Sequence, residues 1–194
     1  MGAKKARRQN IGGNTNNVVR INNYLPKKIR TVTLLPKTTN QEQYILTLLD
    51  ENTSICFGIG PAGTGKTMLA CQSAVKHFFE GQVDKIVVTR PAVSTDEDLG
   101  HLPGTLEQKM APWTRPIFDV LREYFYANEI ESMISEGVIE ISPLAYMRGR
   151  TFKNSYIIAD EMQNATTNQM KMLLTRIGSN SKMVLTGDLA QTDR

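Results

Sequence analysis

From Thr39 onward, apolar and polar residues recur in two kinds of block. In "NQEQYILTLLDEN", Tyr44 and Leu48, and likewise Ile45 and Leu49, fall at helical spacing, with Asn40 placed to cap the first turn. "SICFGI" is a short, almost wholly apolar run, the mark of a strand covered on both faces. "KTMLACQSAVKHFFEG" returns to helical spacing through Leu69, Ala70, Ala74, Val75 and Phe78, and Gly81 is a natural stop. "KIVVT" is the next buried strand, ended by Pro91.

The middle of the chain is less regular, punctuated by Pro103, Pro112 and Pro116. "PIFDVLREYFYA" reads as an amphipathic helix begun by Pro116 behind Thr114, and "NEIESMISEG" as a shorter one. "VIEIS", "SYIIAD" and "KMVLTG" are strand candidates, with the helix "TTNQMKMLLTRIG" between the last two. Short buried strands alternating with helices predict an α/β fold with a mainly parallel sheet and helices on both faces.

Composition fits this picture. A chain of 194 residues with 40% apolar residues fits one domain with an ordinary core. Before Glu42 there are nine Lys or Arg and no acid, whereas the rest of the chain is net −5. Residues 1–30, rich in Asn and Gly ("RRQNIGGNTNN"), read as a basic, disordered arm, and 31–194 as the domain. Such an arm can neutralise nucleic-acid phosphates or simply keep the chain soluble. No apolar run reaches the ~18 residues of a membrane span, and no secretory signal opens the chain, so a soluble, cytoplasmic protein is expected. Cys56 and Cys71 sit in apolar surroundings as reduced core thiols, and neither they nor His77 and His101 have metal-ligand spacing.

The chemistry begins at Gly60. Gly60, Pro61, Ala62, Gly63, Thr64, Gly65, Lys66 and Thr67 match G-x-x-x-x-G-K-[ST] in full, between a buried strand and a helix. Glycines bring backbone N–H groups close to phosphates, and the helix that continues through Met68 aims its positive end at the same place. Lys66 supplies a charge for the β and γ phosphates, and the Thr67 hydroxyl can ligate Mg2+. An apolar strand ends in Asp160 and Glu161, and the carboxyl ends of parallel strands are where such sheets face ligands. Asp160 is the candidate Mg2+ holder and Glu161 the candidate base for an attacking water. "KMVLT" ends in Gly187 and Asp188, followed by Gln191. In the P-loop class where glutamate directly follows the strand-end aspartate, a further strand lies between that strand and the P-loop strand. Its tip is therefore expected to face the γ-phosphate, with Gln191 a candidate sensor and Asp188 either a turn residue or a second acid near the water. Gln43, on the helix ahead of the loop, can read the edge of adenine.

These blocks together resemble the PhoH family of P-loop ATPases, whose core is similar to one motor domain of superfamily 1 helicases. "NQEQY", "GPAGTGKT", "TRPAV", "LGHLPG", "PLAYMRGRTF", "DEMQNAT" and "GDLAQTD" follow that family's pattern in order, from about Thr38 to Asp193. The resemblance implies a RecA-like three-layer sandwich, ATP and Mg2+ as ligands, nucleotide contacts from Gly60 to Thr67, and roles for Gln43, Asp160, Glu161 and Gln191 as above. It also implies an RNA or single-stranded nucleic-acid partner held near Thr89, Arg90, Pro91 and Ala92. A homo-oligomer is expected, on the pattern of a hexameric ring in which a neighbour supplies an arginine, with Arg148, Arg150 and Arg176 as candidates. Relatives usually continue past the glutamine into a last core strand, so an outer strand beside the P-loop strand is expected to be missing here. The leading function is therefore an ATPase coupled to nucleic acid. The alternatives are a nucleotide-dependent assembly module with little turnover, and a small-molecule P-loop kinase, against which the Asp-Glu and Gly-Asp-x-x-Gln arrangement argues.

Overall fold

In the computed structural model, the described residues are 31–91 and 106–191, with side chains described from 113 onward in the second segment. The basic arm, Ala92, His101, "LGHLPG" and the last three residues lie outside them. Five strands form one sheet: β1 (Ile55–Ile59), β2 (Lys85–Thr89), β3 (Ile139–Ile141), β4 (Ser155–Ala159) and β5 (Lys182–Gly187). Their order is β1-β5-β4-β2-β3, and every pairing is parallel. Five helices accompany them: α1 (Thr39–Leu49), α2 (Lys66–Phe79), α3 (Leu106–Tyr124), α4 (Ala127–Ser135) and α5 (Thr167–Leu174). Parallel neighbours cannot be joined by a tight hairpin, so the chain must cross a face of the sheet between them, and the helices lie on those crossovers.

Strands β2, β4 and β5 are covered on both faces, whereas β1, expected from its apolar run to be covered on both faces, leaves one face open because it is an edge strand among the described residues. On β4, Tyr156 and Ile158 enter one core while Ile157 and Ala159 enter the other, and all five residues of the strand are buried. Row by row the register carries this across the sheet: Cys56 pairs with Val184, Val184 with Ile158, and Ile158 with Val88, all four in the first core. That core is closed by α1 to α4 through residues such as Leu48, Leu69, Leu121 and Ile130. The second core is closed by Leu144, Met147, Met162 and Leu173, from α5 and two short 3-10 turns. The result is the expected three-layer α/β sandwich, and its sheet is wholly parallel. Among the described residues β1 is an edge strand, and its Phe57 and Ile59 are 53% and 58% exposed. No described helix is long and apolar enough to cross a membrane.

Element boundaries differ from the sequence reading where local chemistry competes. Thr38, not Asn40, caps α1, its hydroxyl accepting the Gln41 N–H at 3.2 Å. The third helix begins ten residues before Pro116, at Leu106, and contains both Pro112 and Pro116. Prolines interrupt the helical hydrogen-bond ladder, but Ile117, Val120, Leu121 and Tyr124 still bury one face in the first core. The stretch read as the long helix "TTNQMKMLLTRIG" is helical only to Leu174; Thr166 caps it, with Gln169 returning the contact to the Thr166 N–H at 2.8 Å. Cys56 and Cys71 are buried free thiols, and burial pushes both above their ordinary pKa.

Candidate functional site

The strand-to-helix turn after β1 is built as its glycines require. Gly65 takes φ 82, a left-handed conformation, and passes the chain directly into α2 at Lys66. Its open face is packed by Gln41, whose Nε2 donates to the Thr64 carbonyl at 3.0 Å. Tyr44 approaches from the same helix and donates to the Lys66 carbonyl at 3.4 Å; burial pushes its phenol pKa up, keeping it a neutral donor. The loop is thus clamped to α1 on one side. On the other, the Gly60 N–H donates to the Gly187 carbonyl at 3.1 Å, which ties the start of the loop to the end of β5.

Because β5 lies between β1 and β4, three chain segments converge at the carboxyl ends of these strands. The Thr67 hydroxyl donates to Asp160 Oδ1 at 2.7 Å, and the Thr186 hydroxyl, from β5, donates to the same oxygen. Lys66 Nζ donates to the carbonyls of Gly60 and Pro61 at 2.6 and 2.8 Å. Asp188 is 7% exposed; its Oδ2 accepts the Ala62 N–H at 3.2 Å, and its Oδ1 accepts the Ala190 N–H at 3.0 Å. A cavity of about 230 Å3 opens among these groups, its walls including Lys66, Thr67, Asp160, Glu161, Asp188 and Gln191. Gly63 and Met68 line it too, and a wider groove bounded by Gln43, Tyr44, Pro61 and Thr64 continues along α1 and β1.

The residues assigned to the site from sequence divide between these two openings: Ala62, Gly63, Gly65, Lys66, Thr67, Met68, Asp160, Glu161 and Gln191 line the cavity, and Gly60, Pro61, Thr64 and Gln43 the wider groove, which shares Gly63 and Lys66 with it. Gln43 is exposed on the wider groove, while Gln41, not singled out in the sequence, touches the loop. Gln191 reaches the pocket, its N–H donating to the Asp188 carbonyl at 3.1 Å. Thr186 and Gln163 were also missed. Gln163 Nε2 donates to Glu161 Oε2 at 2.5 Å, and Glu161 itself holds φ 54, the left-handed conformation that a side chain rarely adopts. Only its place two residues after Glu161 in "DEMQ" could have flagged it.

The arginines separate clearly. Arg150 forms a two-pronged ion pair with Glu140, which Lys85 also approaches at 3.2 Å, and stacks 4.6 Å over the Phe152 ring. Arg176 donates to the carbonyls of Arg150 and Met172 at 3.1 Å. Arg148 is exposed, without a side-chain partner among the described residues, and none of the three lines the cavity. Arg90 is half-buried at the end of β2, beside the buried Thr89.

The donor set suits a hard cation bound with phosphate. Asp160 and Thr67 offer two adjacent oxygens, one of them a carboxylate, matching Mg2+, which takes one or two protein oxygens and completes its shell from phosphates and water. Among the described residues no group of three or more His, Cys, Asp or Glu forms a self-sufficient metal site.

Comparison with known proteins agrees with this geometry. The family model described as "PhoH-like protein" matches residues 33–194. The chain is 52% identical over 164 residues to the PhoH-like protein of Mycobacterium tuberculosis strain H37Rv, covering 84% of this chain and 46% of that protein. It is 47% identical over 169 residues to the PhoH-like protein of Bacillus subtilis strain 168, covering 87% of this chain and 52% of the other. Against Protein PhoH of Escherichia coli K12 the identity is 42% over 165 residues, covering 84% and 46%. The chain thus spans about half the length of these relatives. A family model that spans all five described strands, together with identities of this size, places the chain in the PhoH family.

Proposed function

We infer that this chain binds ATP with Mg2+ and hydrolyses it, and that hydrolysis is coupled to RNA or single-stranded nucleic acid. The observation that carries the reading is the Thr67–Asp160 contact at 2.7 Å, because it unites the loop from β1 with the acid from β4 around one cavity. The backbone of Gly60 to Thr67 would cradle the phosphates, and Lys66 would leave the loop carbonyls for the β and γ oxygens. Thr67 and Asp160 would hold Mg2+, which when bound supplies positive charge against the phosphates. Glu161 would take the proton of the attacking water, and Gln191 would contact the γ-phosphate from the end of β5. Gln43 borders the groove in which an adenine would lie.

Among the described residues Lys66 is the only cation lining this cavity, and phosphoryl transfer is commonly helped by an arginine supplied in cis or by a neighbour. Arg148 suits a neighbour's site, because Arg150 and Arg176 are already engaged within the fold. A homo-oligomer, on the pattern of a ring, follows from that assignment. Thr89, Arg90 and Pro91, at the end of β2, are the described part of the proposed nucleic-acid edge, which on the sequence continues to Ala92.

The test is an ATPase assay with and without a single-stranded polynucleotide, run beside a mass measurement. Mg2+-dependent hydrolysis that rises with polynucleotide, in an oligomer, is the expected result. ATP binding without turnover under any condition would replace this reading with that of a nucleotide-dependent binding module.

A further inference from the structure

Gln163 stands where two halves of the site meet. Its Nε2 donates to Glu161 Oε2 at 2.5 Å and to the Gln191 carbonyl at 3.3 Å, while its Oε1 accepts the Asp188 N–H at 3.1 Å. A carboxylate and a carbonyl only accept and a backbone N–H only donates, so a single orientation of the amide satisfies all three partners. Asp188 in turn reaches the phosphate loop, its carboxylate accepting the Ala62 N–H at 3.2 Å. Three hydrogen bonds therefore connect Ala62 to Glu161 by way of Asp188 and Gln163, the step across Asp188 running through its own covalent frame from carboxylate to backbone N–H.

Both ends of that path are poised to respond. The Ala62 N–H belongs to the loop whose amides would receive phosphate, and a carboxylate there occupies an anion's place. At the other end Glu161 sits in a left-handed conformation with its carboxylate held by the amide. We propose that Gln163 is a positioning residue that couples occupancy of the phosphate loop, sensed through Asp188, to the orientation of the Glu161 carboxylate. This rests on the hydrolytic reading above. A phosphate that takes the Ala62 N–H displaces the Asp188 carboxylate. The backbone N–H of Asp188 shifts with it, Gln163 follows, and the Glu161 carboxylate turns from the amide toward water.

The experiment uses the full chain and compares the parent with Gln163→Met, Glu161→Gln and the double variant. Methionine keeps the length of the side chain while removing both its donor and its acceptor. ATP affinity is read by titration, kcat and KM by steady-state hydrolysis, and folding by melting temperature. Gln163→Met is expected to bind ATP within about two-fold of the parent and to lose kcat about ten-fold or more, with KM little changed. In the Glu161→Gln background the same substitution should change kcat by less than about two-fold, because Gln163 acts through Glu161. A readout free of turnover is amide exchange at Asn164 and Ala165, whose N–H groups bond the carbonyls of Glu161 and Met162 at 3.2 and 3.1 Å. A non-hydrolysable ATP analogue should alter their exchange in the parent and not in Gln163→Met.

The relay alone is overturned if the parent binds ATP and Gln163→Met matches it in kcat and in exchange response. It is equally overturned if the variant loses ATP affinity and melting temperature together with kcat, or if the two substitutions are additive. A parent chain that fails to bind ATP overturns the hydrolytic reading, and the relay with it.

Discussion

Lys66 and Glu161 share one cavity, but substitution should separate their work. The Lys66 ammonium now bonds only loop carbonyls, of which that of Pro61 is solvent-accessible, so Lys66→Ala should cost the fold about 1 kcal/mol or less. Its loss at the phosphates is larger, because a hydrogen bond to a charged group contributes about 1.5–3 kcal/mol; ATP affinity should fall at least about ten-fold, read by equilibrium titration. Glu161→Gln keeps the shape and loses the base. ATP should bind as before while kcat drops about 10²–10⁴-fold in a steady-state assay, and an unchanged rate would mean the base lies elsewhere. At this scale the loop was spelled out by residue type and spacing alone. Gln163 and Gln41 were not, because a glutamine acquires meaning only from what faces it: Glu161 and Asp188 in one case, the Thr64 carbonyl in the other.

Among the elements, α1 and β1 show how packing decides what a pattern leaves open. Gly58 lies on β1 where the Tyr44 ring crosses it, and a Cβ there would stand 2.7–2.8 Å from the phenol oxygen and its ring carbon. Gly58→Ala must therefore push Tyr44 off the loop. Thermal or urea denaturation should show a loss of about 1–3 kcal/mol, the usual cost of overpacking, and ATP affinity should weaken because Tyr44 also touches the first residue of α2. A mutant as stable as the parent would show that α1 can shift without cost. All five strands were legible as short, mainly apolar runs, but that pattern did not tell β2, β4 and β5, buried on both faces, from β1, whose Phe57 and Ile59 stay exposed. The extent of α3 was not: prolines and polar residues argue locally against a helix, while the gain from burying Ile117, Val120 and Leu121 is a property of the packed molecule.

Over the whole molecule, stability should decline toward acid for two reasons that can be told apart. His77 is 6% exposed, with Nδ1 2.7 Å from the Ser73 carbonyl and its ring edge-on to Tyr156 at 5.1 Å. Desolvation holds its pKa below the ordinary 6.5, only partly opposed by the Ser73 carbonyl. The unfolded chain then takes up this proton first, so stability falls as pH drops below about 6.5 and levels off once the folded imidazole is also protonated. Glu140 acts lower. The hydrogen bond from Arg150, with a smaller one from Lys85, holds its carboxyl below the ordinary 4.5, so its contribution is present above that value and lost as pH falls through the folded one. A melting-temperature series from pH 8 to 3 should show both declines, and His77→Gln should flatten the upper one while leaving the lower. An upper decline that survives the substitution would assign it to another group.

The sequence by itself determined the phosphate loop, the acid pair at the end of β4, the alternation that makes an α/β sandwich and the family, because each is written in residues close along the chain. The place of β5 between β1 and β4 was itself implied by the P-loop class in which a glutamate follows the strand-end aspartate, and the sheet order agrees. Only the tertiary structure decided that Asp188 meets Ala62 and that Gln163 meets both Asp188 and Glu161. It also decided that Arg150 and Arg176 are engaged while Arg148 has no side-chain partner among the described residues. Those contacts join residues up to 126 positions apart, and no periodicity or spacing records which side chains meet across neighbouring strand ends; that is decided when the packed layers bring the loops together.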